Sequence, residues 1–256
     1  MRLAGGVPKT FALDHANGFR LDGEALRRAL TPQTRAVVVN TPHNPTGRVF
    51  TVDELDAVAD LARRHGLWVI ADESFDKFVF DGHRHVSLAG LPGMAARTVV
   101  LQSFSKAYAM IGARVGYVAA PPAVAAAVAR FNEQVLSCVS PFLQALALDA
   151  LDAEPAWTAT LQARYREKRD VTVAAVRALK GFACAVPEGT FYVFADITSF
   201  GQPSSDFARR VLDEARVALT PGSAFGAGGE GYVRFNLAPP LAVIRDGLDR
   251  LRNVFG

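Results

Sequence analysis

Apolar residues in this chain follow two regimes. Between positions 36 and 120 they come as short unbroken runs: Ala36-Val37-Val38-Val39, Leu67-Trp68-Val69-Ile70-Ala71 and Thr98-Val99-Val100-Leu101. Runs of this length without alternation predict strands buried on both faces, as in a parallel sheet. Between the first two, Thr51 and Glu54 make a capping box, and Leu55, Val58, Ala59 and Ala62 recur at helical spacing up to His65-Gly66. A fourth strand is expected over Arg114 to Ala120, and a short helix over Glu24 to Leu30, ended by Thr31-Pro32. The segment Val7 to Leu21 shows neither period and reads as an extended edge and loop. Strand, helix and strand in alternation predict an α/β unit with a mostly parallel sheet.

Beyond Pro121 the period changes. Val124, Val128, Phe131 and Val135 line one face of a helix, and further helices are expected over Pro141 to Leu151 and Pro155 to Leu179. From Gly181 the elements are short: strands over Phe182 to Val186 and Thr190 to Ala195, a helix over Asp206 to Ala215, and strands over Arg216 to Thr220 and Gly231 to Leu237. A last helix follows Pro239-Pro240, with Ile244, Leu248 and Leu251 facing inward. The expected organisation is a large domain over residues 1–160 and a smaller C-terminal α+β domain over residues 161–256.

Composition narrows the function classes. The chain has 256 residues, half of them hydrophobic, enough for a substantial core. Its net charge of +3 is spread without a basic run, which argues against nucleic acid or a membrane surface as a partner. Nothing is long and apolar enough to span a bilayer, and Met1 to Gly6 lacks an apolar signal segment, so a soluble cytoplasmic protein is expected. Cys138 and Cys184 form no C-x-x-C pair and are expected as buried, reduced thiols. His83 and His85 have no third ligand in view, so no metal site is expected. The glycines from 226 to 231 lack the ending of a phosphate-binding P-loop and read as a turn.

The chemistry gathers at strand ends. Lys106 is one of only five lysines and lies in Ser103-Phe104-Ser105-Lys106, with Arg114 eight residues on. A nucleophilic amine needs a lowered pKa, which burial or a neighbouring cation supplies. Hydroxyls and a guanidinium suit phosphate oxygens. A solvated lysine in a serine-rich loop is the plain alternative. Asn44 and Asp72 follow the carboxyl ends of two other predicted strands, and ligands of open α/β sheets bind along that edge. Asp72 could meet a protonated pyridine nitrogen or simply cap its turn. Arg234, among apolar neighbours in Tyr232-Val233-Arg234-Phe235, suits a carboxylate clamp or a salt bridge between domains.

In combination these stretches resemble the class I/II (fold type I) pyridoxal phosphate aminotransferases. Thr41-Pro42-His43-Asn44-Pro45-Thr46-Gly47 is similar to the family's N-P-x-N-P-T-G loop, and Ala71 to Phe75 to its D-E-x-Y strand end. Ser103 to Lys106 with Gly112 to Tyr117 is similar to S-x-S-K…G-x-R-x-G-Y, and Pro187 to Tyr192 and Pro221 to Gly226 continue the likeness. The resemblance runs from about Phe19 to the end, and its closest flavour is the prokaryotic aspartate/aromatic subgroup. It implies pyridoxal 5'-phosphate as cofactor, Lys106 as the residue joined to it and the proton carrier, and Ser103, Ser105 and Arg114 on the phosphate. It further implies Asp72 on the ring nitrogen, Asn44 on the phenolic oxygen and near substrate, and Arg234 on the substrate's α-carboxylate. The implied reaction is ping-pong transamination between an L-amino acid and a 2-oxo acid, by a homodimer. A C–S lyase type of reaction would use the same lysine and aspartate, and a non-catalytic relative would use neither.

Two departures carry expectations. Phe75 stands where the family has tyrosine, so the cofactor–lysine bond should hold its proton to higher pH. The likeness also starts well inside the family's large domain, so that domain is expected to be N-terminally incomplete here. The phosphate-binding small-residue loop and the ring-stacking aromatic would then lie outside this stretch.

Overall fold

The computed structural model of the chain describes the backbone of residues 1–256 and the side chains of all but residues 154 and 155. The expected α1 occupies Gly23–Ala29, capped by the Asp22 carboxylate, which accepts from the Glu24 amide. A parallel core follows: β1 (Ala36–Asn40), α2 (Val52–Arg64), β2 (Trp68–Asp72) and β3 (Thr98–Ser103). The Thr51/Glu54 capping box is formed in both directions, so the amides at the start of α2 are satisfied. A four-residue helix α3 (Phe104–Ala107) leads to β4 (Gly116–Ala119), which pairs antiparallel with β3. The sheet order is β1-β2-β3-β4.

Three helices then run in succession, α4 (Pro122–Leu136), α5 (Pro141–Asp152) and α6 (Glu154–Ala178). They lead to a second, antiparallel sheet of β5 (Ala183–Cys184), β6 (Tyr192–Asp196), β7 (Thr220–Pro221) and β8 (Tyr232–Asn236), in the order β5-β6-β8-β7. Helices α7 (Ser204–Ala215) and α8 (Leu241–Phe255) cover it. The expected inward residues of α8, Ile244, Leu248 and Leu251, are buried. The core of this half joins α6, α7 and α8 to β6 and β8 and reaches across to Phe75 and Phe78 beside the first sheet.

Five sequence expectations fail. The strands of the first sheet are not buried on both faces: β1 alternates, with Val37 and Val39 inside and Val38 44% exposed. The connections β1-α2-β2 and β2-to-β3 both move one strand in the same direction. Right-handed crossovers of that kind fall on one side of a sheet. Accordingly α2 packs with Leu88, Leu91 and Met94 of the second crossover against Val37, Val39, Val69 and Ala71, and the opposite face gets no layer among the described residues. The apolar face of α4 is likewise outward, with Phe131 71% exposed and no residue of the helix buried. The fourth strand begins at Gly116 rather than Arg114, because Arg114 adopts a left-handed φ of 55° and turns the chain before pairing starts. The strand expected over Arg216 to Thr220 shrinks to Thr220–Pro221, since Arg216 (φ 56°) closes α7. Cys138 is exposed instead of buried, in the link between α4 and α5, while Cys184 is half-buried.

Candidate active site

The site assembles at the carboxyl ends of β1, β2 and β3, with one arm from the second sheet. At the end of β1, Asn40 acts as a splice. Its Oδ1 accepts the Asn44 amide at 2.8 Å and its Nδ2 donates to the Asp72 carbonyl at 3.0 Å, fixing the 41–47 loop to β2. Within that loop the His43 ring bonds Thr46 Oγ1 through Nδ1 at 2.8 Å, and burial drops the His43 pKa to about 4. Gly47 (φ 74°) has no room for a side chain, because a Cβ there would lie 2.5 Å from the Pro187 Cβ. The two sheets therefore meet at close backbone range, sealed by the Gly189 amide donating to the Gly47 carbonyl at 2.8 Å.

Asp72 ends β2. Its Oδ1 accepts from the Ser74 amide at 3.1 Å and the Ser74 hydroxyl at 2.6 Å, so the turn-capping role is real. Its Oδ2 accepts no hydrogen bond among the described residues and stays available. Glu73 turns the other way and anchors the following crossover, accepting from Ser87 Oγ at 2.8 Å and pairing with His85 Nε2 at 3.0 Å.

At the end of β3, Ser103 caps α3 by accepting the Ser105 amide at 3.2 Å. Arg114 Nη1 reaches Ser105 Oγ at 3.4 Å and the Ile111 carbonyl at 3.1 Å, so the hydroxyl and guanidinium form one cradle. The Lys106 Nζ lies 5.9 Å from the centre of the Phe75 ring and 5.8 Å from that of Phe191. It has no hydrogen-bond or ion-pair partner among the described residues. Phe75 is buried in an aromatic cluster with Phe78, Phe191 and Tyr192.

Arg234 comes from the middle of β8. Its Nη1 donates to Asn44 Oδ1 at 2.8 Å and its Nη2 to Thr220 Oγ1 at 3.2 Å, while its guanidinium lies 4.0 Å from the Tyr192 ring centre. The Nε is buried without a partner. Burial lowers the Arg234 pKa, which the neighbouring Tyr192 partly opposes. No carboxylate pairs with this arginine among the described residues, so the salt-bridge reading fails and the bond to Asn44 replaces it.

Contacts thus run from Arg234 through Asn44 and Asn40 to Asp72, and from Arg234 through Tyr192 and Phe75 to Lys106. Ser103, Ser105 and Arg114 join through α3. Four participants carried no assigned role in the sequence: Asn40, Tyr192, Phe191 and Thr220. Thr220 sits opposite Arg234 in the antiparallel register, and only that pairing reveals it. Phe191 and Tyr192 lay inside a quoted motif, but their ring contacts depend on the meeting of the two sheets.

The donor set suits a phosphorylated pyridine aldehyde. It offers hydroxyls and a guanidinium for phosphate, a carboxylate oxygen without a donor for a ring N–H, an unpaired amine for the carbonyl, and an orphaned guanidinium nitrogen for a carboxylate. No helix among the described residues is long and apolar enough to cross a membrane.

The family model for aminotransferase class I and II matches residues 1–251. The chain is 39% identical to aromatic-amino-acid aminotransferase 2 of Thermococcus litoralis over 254 residues, covering 98% of this chain and 65% of that protein. It is 38% identical to an aspartate aminotransferase of Pyrococcus abyssi, with the same coverage of both. Among solved structures, the aspartate aminotransferase of Thermus thermophilus with maleate superposes with a TM-score of 0.92 at 33% identity, over 99% of this chain and 65% of that one. The chain spans just under two thirds of the length of these relatives.

Proposed function

The chain belongs to the aminotransferase class I and II family, and from that premise we propose that it carries the pyridoxal phosphate site of a transaminase. The reaction moves an amino group from an L-amino acid to a 2-oxo acid in two half-reactions. Lys106 carries the reading: an amine with no polar partner among the described residues, near the Phe75 and Phe191 rings, on the short helix that also carries Ser105 of the Ser105–Arg114 cradle.

Each residue has a task its geometry fits. Ser103, Ser105 and Arg114 hold the phosphate. Asp72, with Oδ2 open, accepts the ring N–H and keeps it protonated. Asn44 and Arg234 stand together where the substrate's α-carboxylate and the ring oxygen would be bound. A carboxylate arriving at Arg234 would find the buried Nε unpaired and could engage the fork from that side. Bound here, the cofactor would supply the electron sink that loosens a bond at the substrate's α-carbon. Lys106, as a free amine, would take the α-proton as general base and return it as general acid.

The same reading takes residues 1–160 as the cofactor-binding part and 161–256 as the smaller part. It also brings with it a homodimer and a cytoplasmic location. Aspartate and aromatic amino acids, named in the relatives, are the first substrates to try. The test is reconstitution with pyridoxal phosphate. A visible absorbance band is expected in the chain and absent in Lys106→Ala, with aspartate and 2-oxoglutarate giving glutamate. A band that persists in Lys106→Ala, or none in either protein, would refute the assignment.

A further inference from the structure

The Arg234 guanidinium lies against two aromatic rings. Its Cζ is 4.0 Å from the centre of the Tyr192 ring and 4.9 Å from that of Phe225. The rings come from either side of β8, since Tyr192 lies on β6 and Phe225 just beyond β7. Both are themselves held. Tyr192 is buried, with its ring centre 4.7 Å from that of Phe191 and 5.7 Å from that of Phe75. Phe225 meets the Phe194 ring edge-on, with 6.1 Å between centres. The Tyr192 hydroxyl makes no hydrogen bond among the described residues, so the ring is what touches Arg234.

The bonds to Asn44 and Thr220 use two of the five N–H donors of a guanidinium and leave three. A carboxylate that takes two of these lies in the plane of the fork, with no atom of its own above or below. A sulfonate or phosphonate has a third oxygen, which stands out of that plane toward the ring faces. Those faces are the negative side of the aromatic quadrupole. They attract the guanidinium and repel an anionic oxygen.

We propose that Tyr192 and Phe225 are positioning residues that set anion specificity: they hold the Arg234 fork in one plane, which admits a flat carboxylate and turns away a tetrahedral anion. The inference rests on the reading of Arg234 as the anchor of the substrate's carboxylate. It goes beyond that reading by assigning the choice between anions to two uncharged rings, and it names the substrates refused. Amino acids with a sulfonate or phosphonate in place of the α-carboxylate are excluded by shape.

The test uses the chain loaded with pyridoxal phosphate and two probes with one body, 3-phenylpropanoate and 2-phenylethanesulfonate. Both carry a single negative charge at neutral pH and differ in the shape of the anionic group. Calorimetry on the wild-type chain should give a Kd roughly tenfold lower for the carboxylate. Tyr192→Leu should weaken carboxylate binding about tenfold, as expected for a desolvated cation–π contact, and bring the two probes within about threefold of each other. Tyr192→Phe keeps the ring and should retain both the affinity and the preference. Phe225→Leu, at a half-buried position, should narrow the preference in the same way even where Tyr192→Leu does not fold. Equal wild-type affinity for the two probes, a preference unchanged in the folded leucine variants, or a Tyr192→Phe that behaves as Tyr192→Leu would overturn the proposal alone. A chain without the visible cofactor band, or carboxylate binding that survives Arg234→Ala, would instead refute the reading on which the proposal stands, and the proposal with it.

Discussion

Three residues show how much chemistry turns on single positions. Phe75 places a ring where the resemblance implies a phenol, so the buried cluster offers no hydroxyl from this position. A hydroxyl donating to the cofactor's ring oxygen favours the anion and lowers the pKa of the lysine bond. Phe75→Tyr should therefore move the midpoint of the visible-absorbance titration to lower pH, and an unchanged midpoint would remove Phe75 from the explanation. Arg234 is held by Asn44, Thr220 and the face of Tyr192. Replacing it with alanine should raise KM for the amino acid roughly 30-fold, the equivalent of about 2 kcal/mol for a charge-assisted pair. An unaltered KM would place the carboxylate elsewhere. Burial disfavours the charged form of His43 and lowers its pKa in the fold from the ordinary 6.5 to about 4. Below pH 6.5 the unfolded chain binds the proton first, so stability is full above that pH and declines as pH falls toward 4. The loss reaches about 3 kcal/mol at most. Urea unfolding at a series of pH values should show this slope, and His43→Asn should flatten it.

At the scale of elements, the join between the two sheets is the structural key to the site. Glu188 accepts from the Val49 amide at 2.9 Å and from Arg48, whose other arm reaches Glu54 at 3.1 Å; Glu54 in turn accepts the Leu21 amide at 2.9 Å. Glu188→Ala should cost about 1.5–3 kcal/mol, the value of hydrogen bonds to a charged group. It should also weaken the amino-acid binding we propose for Arg234, whose bond to Asn44 spans the same two parts of the chain. Calorimetry and KM would show the two effects together. This region also marks where sequence reading stops. The α2 capping box, the inward stripe of α8 and the three strand ends were legible, because each is a local pattern. The Glu188 join, the Thr220 brace and the ring faces around Lys106 were not, since each pairs residues distant in sequence. The left-handed turns at Arg114 and Arg216 were also hidden, as neither position is glycine.

The molecule as a whole divides into a well-covered half and a half-covered one, and the run of apolar residues in β1 to β3 misleads for that reason. Such a run reads as a strand buried on both sides, yet in β1 only the face toward α2 is buried. In β6 four of five residues are buried, and helices pack around its sheet. In β1 only two of five are buried. Local opening free energy follows buried apolar contact, so the two sheets should not open together. Hydrogen exchange of the isolated chain should find the β6 and β8 amides the slowest in the protein. The amides of β1 to β3 should exchange at least tenfold faster, despite complete parallel pairing at the centre of their sheet. Equal protection of the two sheets would mean that the bare face costs the fold nothing. Faster exchange in the first sheet would mark β1 to β3 as the less protected sheet, as the exposed face of β1 leads us to expect.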